Sequence, residues 1–400
     1  LFVLFGAFLE KSGAQRFFID FPLAAVGHKV GGPGKVAVIA SGLFGSISGS
    51  AIANTVSTGS FTIPMMKRAG FRPHVAGGIE PAASISGMFM PPIMGAGGFI
   101  MAELTGVPYS QIMLVAIFPA IMYVFSVFMM VHYEAKINNV RGEKSEHSAW
   151  YILRTEWFYT LPLVIITILM LYGYSPAYAA IIGLFSCIAV AWIKKDTRMG
   201  PKRFIEAARA GTENSLTIGA TVGVIGIIIG VLTFSGLILT FADIMIELAA
   251  GKLWLTILFI ALASLILGMG VPVTAAYLIT AVVAVPALTH LGVNEIAAHM
   301  IVYWLSQDSN ITPPVCIAAF AGATIAGANM WRTAFTSFKF AKFLYLGPFL
   351  FGYVPAFSLN GTTTDIFKTF VIIIFGTWLY SYILSGIWLS KLRKKEQAAT

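Results

Sequence analysis

The chain has 400 residues, of which 58% are hydrophobic and 11% are charged, and its net charge is +9. A soluble domain carries roughly 25% charged residues, so this composition excludes a water-soluble globular protein and predicts an all-α polytopic membrane protein. The basic residues stand in short clusters between apolar runs, which is typical of cytoplasmic loops and not of a nucleic-acid site. We therefore expect the lipid bilayer as a partner, and no nucleic acid.

Apolar runs long enough to span a bilayer, which takes roughly 20 residues, lie at 109–133, 153–172, 175–193, 214–237 and 364–390. The shorter run 343–358 crosses only if it tilts or the bilayer thins. Residues 1–9 resemble the end of a truncated span, so we expect a longer protein with further helices before it. Charged and apolar residues alternate at helical spacing in 14–30 and 199–213, which predicts helices at the membrane interface.

Four other apolar segments are interrupted by Gly, Ser, Asp or Pro, which predicts helices that break at membrane depth. A break of this kind is costly unless its freed backbone groups line a site or are buried in protein. The segments are 36–66, broken near 46–50; 74–104, broken near 84–87 and at Pro91-Pro92; 252–288, broken at 268–272; and 297–328, broken at 308–310 and Pro313-Pro314.

The interrupted segments form an internal repeat. A shift of 222 residues places 41–92 on 263–314 without a gap. The shift brings identical residues together at the turn-forming positions and at several others. They are Pro64, Gly70, Pro91 and Pro92, which meet Pro286, Gly292, Pro313 and Pro314, together with Leu43, Ala53, Thr58, Ala76 and Ser84.

The charges indicate that the two copies are inverted. The linker of the first copy holds Lys67, Arg68 and Arg72, whereas the matching linker 287–297 holds no Lys or Arg and contains Glu295. By the positive-inside rule the first linker is cytoplasmic and the second is outside. The other loops agree, down to a basic C-terminus at Lys391, Arg393, Lys394 and Lys395. Two re-entrant hairpins of opposite orientation, each followed by a broken helix, are typical of inverted-repeat transporters, which bind substrate and ions near the midplane.

This pattern predicts five parts. Residues 1–35 form a truncated scaffold helix and an interfacial helix. Residues 36–135 form the first repeat of a transport domain, with its hairpin at 36–66 and its broken helix at 74–104. Residues 136–250 form scaffold and connecting helices. The second repeat follows at 251–335, with its hairpin at 252–288 and its broken helix at 297–328, and C-terminal scaffold helices occupy 336–400.

The tip of the first hairpin, 45–50, is rich in hydroxyls and flexible backbone and is followed by Asn54. Sodium is a hard cation and favours oxygen ligands, and broken helices expose carbonyl groups that can supply them. We therefore predict that this tip binds sodium. Ser84, Ser86 and Gly87, at the neighbouring break, are the first-repeat counterparts of the region around Asp308. The alternative is that these glycines and serines only permit close helix packing.

The second set of candidates is Gly268, Gly270, Thr274, Asp308, Ser309, Asn310 and Thr312. Asp308 is the strongest candidate of this set, because a carboxylate at membrane depth is costly and is a functional candidate by default. It could neutralise a bound cation. The alternative is a structural aspartate that caps a half-helix beginning at Thr312. Glu80 and Glu103 also lie near apolar segments and receive no assignment.

The sequence contains none of the motifs of an enzyme. It has no H-E-x-x-H, no phosphate-binding GxxxxGK[ST] and no Cys/His cluster, and an intramembrane serine protease would need a mid-span histidine as its base. Cys187 and Cys316 are expected to be packing residues. We expect no cofactor except Na⁺ as the coupling ion. A channel is a further alternative, but channels seldom need paired hairpins of opposite orientation.

Residues 41–72, SGLFGSISGSAIANTVSTGSFTIPMMKRAGFR, and 308–328, DSNITPPVCIAAFAGATIAGA, resemble the large membrane subunit of the TRAP (tripartite ATP-independent periplasmic) transporters. The resemblance implies an elevator-type transporter with a sodium site near each hairpin tip. It also implies a periplasmic binding protein that delivers a small carboxylate. The acidic residue before the second double proline and the extra C-terminal helices resemble permeases that work with TAXI-type binding proteins. In these permeases the small membrane subunit is often fused in front.

The resemblance carries over residue by residue at the motifs. The implied sodium ligands are Ser46, Ser48, Gly49, Asn54, Ser86, Gly87, Gly268, Gly270, Thr274, Asp308, Asn310 and Thr312. The implied substrate contacts are Ser50, Ser84, Pro91, Pro92, Pro313 and Pro314. Many relatives have a serine after the first double proline, where this chain has Ile93.

The expected location is the cytoplasmic (inner) membrane of a bacterium or archaeon, with the chain crossing it several times. The alternative function is a sodium/dicarboxylate symporter that shares the inverted hairpins but uses no binding protein. A neighbouring gene for a secreted binding protein would distinguish the two.

Overall fold

The computed structural model describes residues 1–142 and 144–388, apart from the side chains of Thr217 and Thr221. The described residues form α-helices and short 3-10 helices joined by loops, so the predicted all-α fold is confirmed. The basic residues that predict a cytoplasmic C-terminus, Lys391, Arg393, Lys394 and Lys395, lie outside the described residues.

The first repeat begins after two N-terminal helices, α1 (Phe2–Lys11) and α2 (Ala14–Val26). Its hairpin turns at Gly49, whose φ of 63° is left-handed and ends the first arm, and at Ser50, whose side chain caps the second arm. Its broken helix is interrupted around Pro91-Pro92, since proline cannot continue a helical ladder. The helices are α3 (Gly32–Ser48), α4 (Ala51–Arg68), α5 (Pro73–Ser84), α6 (Ser86–Phe89) and α7 (Gly95–Thr105).

Among the described residues, six α-helices lie between the broken helix of the first repeat and the hairpin of the second. They are α8 (Tyr109–Ile137), α9 (Ala149–Glu156), α10 (Leu161–Leu171), α11 (Pro176–Ala191), α12 (Pro201–Phe234) and α13 (Leu237–Leu248). Large apolar side chains are exposed along α12, including Leu216, Ile227 and Phe234. This exposure fits a surface that faces lipid.

The second repeat has the same order of elements as the first. Its helices are α14 (Leu253–Leu267), α15 (Val273–His290), α16 (Glu295–Leu305) and α17 (Ile317–Ala326), with a 3-10 turn at Asp308–Asn310. The 222-residue shift places both ends of α4 on both ends of α15. Both double prolines contain a cis peptide bond, and the corresponding residues Met94 and Cys316 both have positive φ. The predicted repeat of a hairpin and a broken helix is therefore present in the structure.

The chain ends with α18 (Met330–Phe340), α19 (Phe343–Tyr353) and α20 (Thr363–Ser385). Five helices of the described residues are long and apolar enough to cross a membrane, and α8 and α20 are two of them. Both match predicted spans, as do the segment Ala149–Leu171, which runs through α9 and α10, and the second half of α12. The shorter apolar helix α11 occupies the remaining predicted span.

Two predictions about the connecting helices were wrong. Residues 199–213 do not form a separate interfacial helix, because no proline interrupts the chain before the next span and α12 is continuous. Gly211 within it makes room for α1, since a Cβ there would lie 2.8 Å from a side-chain atom of Leu4. Residues 343–358 do not provide a spanning helix, because α19 stops before Pro355 and its 11 residues reach only about 16 Å.

Two helices were missed. The first, α13, follows Gly236 in a region interpreted as an outside connection. The second, α18, has the basic residues Arg332 and Lys339, which were interpreted as a loop cluster. The side chain of Asn329 accepts a hydrogen bond from the backbone of Arg332 and caps α18.

Three segments that were predicted to be cytoplasmic meet at Glu134, near the end of α8. One carboxylate oxygen lies 3.4 Å from Arg72 Nη2 and the other 3.1 Å from Lys339 Nζ. Arg72 belongs to the linker of the first repeat, and Lys339 belongs to α18, which follows the second repeat. The ion pairs therefore join the first repeat to α18 at one end of the molecule, as the loop charges predict.

The two broken helices also pack against each other in the core. Trp304 of α16 is 1% exposed and its ring stacks on Phe89 of α6, with 4.4 Å between centroids. Gly77 of α5 and Gly322 of α17 allow a close backbone approach, since a Cβ on Gly322 would lie 2.3 Å from the Gly77 carbonyl oxygen. The repeats thus form one packed unit, in which the hairpin tips are held against the helix breaks.

Candidate functional site

The predicted residues of the first hairpin tip bond mainly to their own backbone. The Ser46 hydroxyl donates to the Leu43 carbonyl at 2.8 Å, and Ser50 accepts from the Ala53 amide at 3.2 Å as the cap of α4. Ser48 makes only long contacts, at 3.5 Å to the Gly45 carbonyl and 3.4 Å to the Ser50 carbonyl. These groups lie at one turn, but their present bonds are those of a helix end.

Asn54 connects three elements of the first repeat. Its side chain is fully buried, and its amide nitrogen donates to the carbonyl oxygens of Ser41 on α3, at 2.8 Å, and Ser84 on α5, at 3.3 Å. Asn54 therefore joins both arms of the hairpin to the end of α5. An amide nitrogen that donates to these two carbonyls competes with any cation for the same oxygens.

Gly87 and Gly45 bring the hairpin and the first break into direct backbone contact. A Cβ on Gly87 would lie 2.2 Å from two backbone atoms of Gly45. The neighbouring Ser86 donates its hydroxyl to the Ala83 carbonyl at 2.6 Å. The structure therefore brings the two predicted halves of the first site together, and it gives Gly87 a packing role that spacing alone does not reveal.

Two tyrosines that were not identified from the sequence hydrogen-bond to carbonyl groups of the first break. The Tyr303 hydroxyl lies 2.7 Å from the Met88 carbonyl oxygen and 2.6 Å from that of Met94. The Tyr109 hydroxyl lies 2.8 Å from the carbonyl oxygen of Pro92 and 2.7 Å from that of Ile93. The carbonyls around the double proline thus have hydrogen-bond donors within the protein, and one of the two donors, Tyr303, belongs to the second repeat.

Tyr303→Phe is expected to destabilise the protein. The substitution removes the hydroxyl and leaves buried carbonyls without that donor, which costs about 1–3 kcal/mol. We expect a lower thermal unfolding midpoint in detergent, while Tyr172→Phe, at a side chain that is 80% exposed, should not change it. Equal midpoints for Tyr303→Phe and the unmodified protein would show that the hydroxyl does not hold the break together.

Asp308 is the centre of the second site. It is 2% exposed, and its Oδ1 atom has no hydrogen-bond partner among the described residues. The capping alternative was wrong, because α17 begins at Ile317 and its N-cap residue, Cys316, has no side-chain cap. Asp308 instead begins the 3-10 turn, and its carbonyl accepts from the amides of Ile311 and Thr312. The carboxylate is buried at a break without a structural partner for Oδ1.

Other oxygens on the elements around Asp308 are also buried without a protein partner. They belong to the side chains of Gln307, Thr274 and Ser264, within the part of the chain that the structure describes. Buried polar atoms are nearly always bonded, so Asp308, the adjacent Gln307 and Ser264 on α14, which contacts the 3-10 turn, are groups that a polar ligand would satisfy. Thr274 was predicted from the sequence, whereas Gln307 and Ser264 were not, although Gln307 directly precedes Asp308.

The other predicted residues of the second site lie around the same turn. A Cβ on Gly268 would lie 2.7 Å from the Ser309 hydroxyl, so the hairpin tip touches the 3-10 turn. Asn310 donates its amide to the Gln307 carbonyl at 3.2 Å, and Thr312 bonds to the hydroxyl of Tyr345. Gly270 has a φ of 76°, a left-handed conformation that suits glycine. The structure therefore brings the second set together at one tip and one break.

The residues predicted to contact substrate lie at the same two breaks. Ser50 and Ser84 flank the first hairpin tip, and the Ser84 carbonyl accepts from Asn54. The two double prolines stand between α6 and α7 and between the 3-10 turn and α17. Their assignment to substrate stays a prediction, as do the sodium assignments.

The DctM component of the tripartite ATP-independent periplasmic transporters is the family whose sequence model matches residues 1–357 of the chain. The chain belongs to this family. TRAP large permeases are transporter components and not enzymes, so the predicted family and the absence of an enzymatic function are confirmed. Helix α20 follows the matched region.

Individual relatives agree with this assignment. The chain is 25% identical over 370 residues to the C4-dicarboxylate TRAP transporter large permease DctM of Pseudomonas aeruginosa, covering 90% of this chain and 84% of the relative. It is also 25% identical over 325 residues to the 2,3-diketo-L-gulonate TRAP transporter large permease of Escherichia coli, covering 78% and 74%. This TRAP permease is thus a multi-pass membrane protein.

A solved structure shares the fold. The YdaH transporter of Alcanivorax borkumensis, whose crystal structure has been described as having an unusual topology, superposes with a TM-score of 0.57 at 17% identity. The match covers 88% of this chain and 84% of that protein. At this identity the likeness shows the fold alone.

Proposed function

We propose that this chain is the permease of a sodium-coupled secondary transporter that takes up small organic anions across the cytoplasmic membrane. The family match over residues 1–357 carries the proposal. The substrate class follows from the relatives, whose names specify C4-dicarboxylates, 2,3-diketo-L-gulonate and sialic acid. These compounds are acids, so a carboxylate is the common chemistry.

Sodium coupling is supported by the second site. Asp308 supplies a buried carboxylate whose Oδ1 lacks a protein partner, and the hydroxyl of Thr274 and the amide oxygen of Gln307 are likewise unpartnered. A hard cation that takes oxygen ligands would satisfy such groups and neutralise the charge. The predicted ligands Gly268, Gly270, Asn310 and Thr312 join this proposal because the second hairpin tip touches the 3-10 turn. The predicted ligands of the first tip are supported by the sequence resemblance alone.

Alternating access by an elevator movement is supported by the packing of the two repeats. The hairpins and broken helices contact each other through Trp304, Gly77 and Gly322 and through the Tyr303 hydroxyl. A unit that is packed in this way would move as one body and carry both tips across the membrane. We propose that α9 to α13 and the C-terminal helices contribute the scaffold.

We further propose that the permease works with two partners. The family name describes a tripartite, periplasmic system of which this component is one part, so a periplasmic binding protein and a small membrane subunit are the expected partners. The TAXI-type binding protein and the N-terminal fusion of the small subunit are supported by the sequence resemblance at Asp308 and the C-terminal helices.

Uptake of labelled carboxylates into proteoliposomes tests this function. The full-length protein is reconstituted with and without its binding protein, in sodium and in choline. Uptake that requires both sodium and the binding protein supports the proposal. Sodium-driven uptake without a binding protein would instead identify a simple symporter, and uptake that is indifferent to sodium would overturn the ion-site assignments.

A further inference from the structure

A second buried carboxyl group, Glu80, lies in the first repeat. It is on α5, its side chain has no exposed surface, and it is packed between the arms of the hairpin. Gly59 on α4 makes room for it, since a Cβ there would lie 3.0 Å from Glu80 Cγ. The carboxyl group is therefore fully enclosed by tightly packed protein.

Three hydroxyl groups surround the carboxyl oxygens. The Ser41 hydroxyl lies 2.5 Å from Glu80 Oε1, the Thr58 hydroxyl also contacts Oε1, and the Thr62 hydroxyl contacts Oε2. Direct hydrogen bonds of this kind leave no space for a metal ion between the oxygens. Both carboxyl oxygens of Glu80 therefore have protein partners, whereas Asp308 Oδ1 has none.

The hydroxyl groups can accommodate either protonation state of Glu80. Each hydroxyl has one hydrogen and two acceptor lone pairs. Thr58 also lies 2.7 Å from the Asn54 carbonyl oxygen, and Thr62 lies 3.1 Å from the Thr58 carbonyl oxygen. The hydroxyls can point to the carboxylate when it is ionised. When it is protonated they can turn to these carbonyls, and the acid then donates to a hydroxyl oxygen.

None of the described ion pairs includes Glu80. On the helices around it, Lys35 bonds to His132 and Lys67 donates to the Ala326 carbonyl, while Glu134 pairs with Arg72 and Lys339. Helices α6 and α17 have no titratable side chain. The other titratable groups on α4, α5, α8 and α18, none of them bonded to Glu80, are Arg68, His74, Tyr109, Tyr123, Tyr133, Lys136 and Arg332. A buried carboxylate without a cationic partner is costly, so the neutral acid is the favoured form in this packing.

The second repeat does not contain this cluster. At the positions that correspond to Glu80, Ser41 and Thr62, it has Val302, Ala263 and Ala284. Its own acid, Asp308, corresponds to Ser86 of the first repeat. Apart from Glu134, which is paired with Arg72 and Lys339, each repeat has one buried acid among its described residues, and the two acids stand at different positions and have different surroundings.

We propose that Glu80 is a proton site of the transport cycle, which holds a proton in the conformation described and exchanges it with water as the transporter moves. The first repeat would then provide a proton site in addition to the sodium sites proposed above. The part that concerns transport rests on the function proposed above, whereas the protonation state of Glu80 does not.

Infrared spectroscopy of the purified full-length protein tests the protonation state without any substrate. We expect a carbonyl stretch of a protonated carboxylic acid at neutral pH that is lost in Glu80→Gln. It should remain in Glu103→Gln, whose glutamate lies exposed at the end of α7. If Glu80→Gln does not fold, ¹³C-glutamate labelling of the unmodified protein should shift this band, since aspartate bands stay in place.

Uptake measured against pH tests the coupling. With sodium fixed, Glu80→Gln should flatten a pH dependence that Glu103→Gln retains, and it should keep its stimulation by sodium. A band of unchanged intensity in Glu80→Gln, or one that is not shifted by labelled glutamate, would overturn the proposal because no part of the band then comes from Glu80. A lost band with an unchanged pH profile would equally overturn it, since the proton would then be a fixed structural one.

Discussion

Asp308→Asn is expected to raise the sodium concentration needed for half-maximal uptake by about 10- to 100-fold. A hydrogen bond to a charged group contributes about 1.5–3 kcal/mol. We expect a loss of similar size when a charged ligand of the cation is neutralised, and 1.4 kcal/mol corresponds to a factor of ten. The Oδ1 atom has no protein partner to be lost, so the effect should fall on the ion rather than on the fold. The measurement is uptake into proteoliposomes over a series of sodium concentrations.

The matched control is Asp243→Asn. Asp243 lies exposed on α13 and is not one of the predicted ligands, so the same loss of charge there should leave sodium dependence unchanged. A sodium titration of Asp308→Asn that coincides with that of the unmodified protein would contradict the assignment of Asp308 as a sodium ligand. The thermal midpoint of each variant shows that the comparison is made on folded protein.

Gly87→Ala is expected to be the most destabilising single-methyl change at the site. The new Cβ would stand 2.2 Å from two backbone atoms of Gly45, and backbone cannot move aside as a side-chain end can. Overpacking of this kind costs about 1–3 kcal/mol and more where relief requires a helix to shift. We expect a lower thermal midpoint in detergent together with a loss of uptake, because the hairpin tip would be pushed off the break.

Gly376→Ala serves as the control for this prediction. Gly376 lies within α20, and a Cβ there has no neighbour within 4 Å. Alanine is the better helix former by about 1 kcal/mol, so this variant should be at least as stable as the unmodified protein. If Gly87→Ala were equally stable, the contact of the hairpin with the first break would not be a tight one.

The two buried acids give the repeats different chemistry. Asp308 lies at a break, next in sequence to Gln307, and both side chains have a buried oxygen without a protein partner; we propose that a cation binds there. Glu80 is instead enclosed by three hydroxyls of its own hairpin. The rule that selects Asp308 from the sequence, a carboxylate within an apolar segment, applies equally to Glu80. Its significance depends on Ser41 and Thr62, which are separated from it along the chain.

The sequence by itself determined the membrane class, the long spans, the four interrupted segments and their repeat. These features depend on local quantities, namely apolar length, Gly and Pro punctuation, and loop charge, which act over a few turns of chain. Helix ends followed the same local rules, as with the positive φ of Gly49 and the Ser50 cap of α4. The second repeat follows the same rules, so α15 begins and ends at the positions that correspond to the ends of α4.

Only the tertiary structure decided which polar groups meet. Tyr303 reaches the carbonyls of Met88 and Met94 in the other repeat, and Gly87 touches Gly45. It also decided that Asp308 caps no helix and that Glu80 is enclosed by hydroxyls. These outcomes depend on the packing of elements distant in sequence. In an apolar interior each buried polar group must find a partner in space, and periodicity along the chain does not specify that partner.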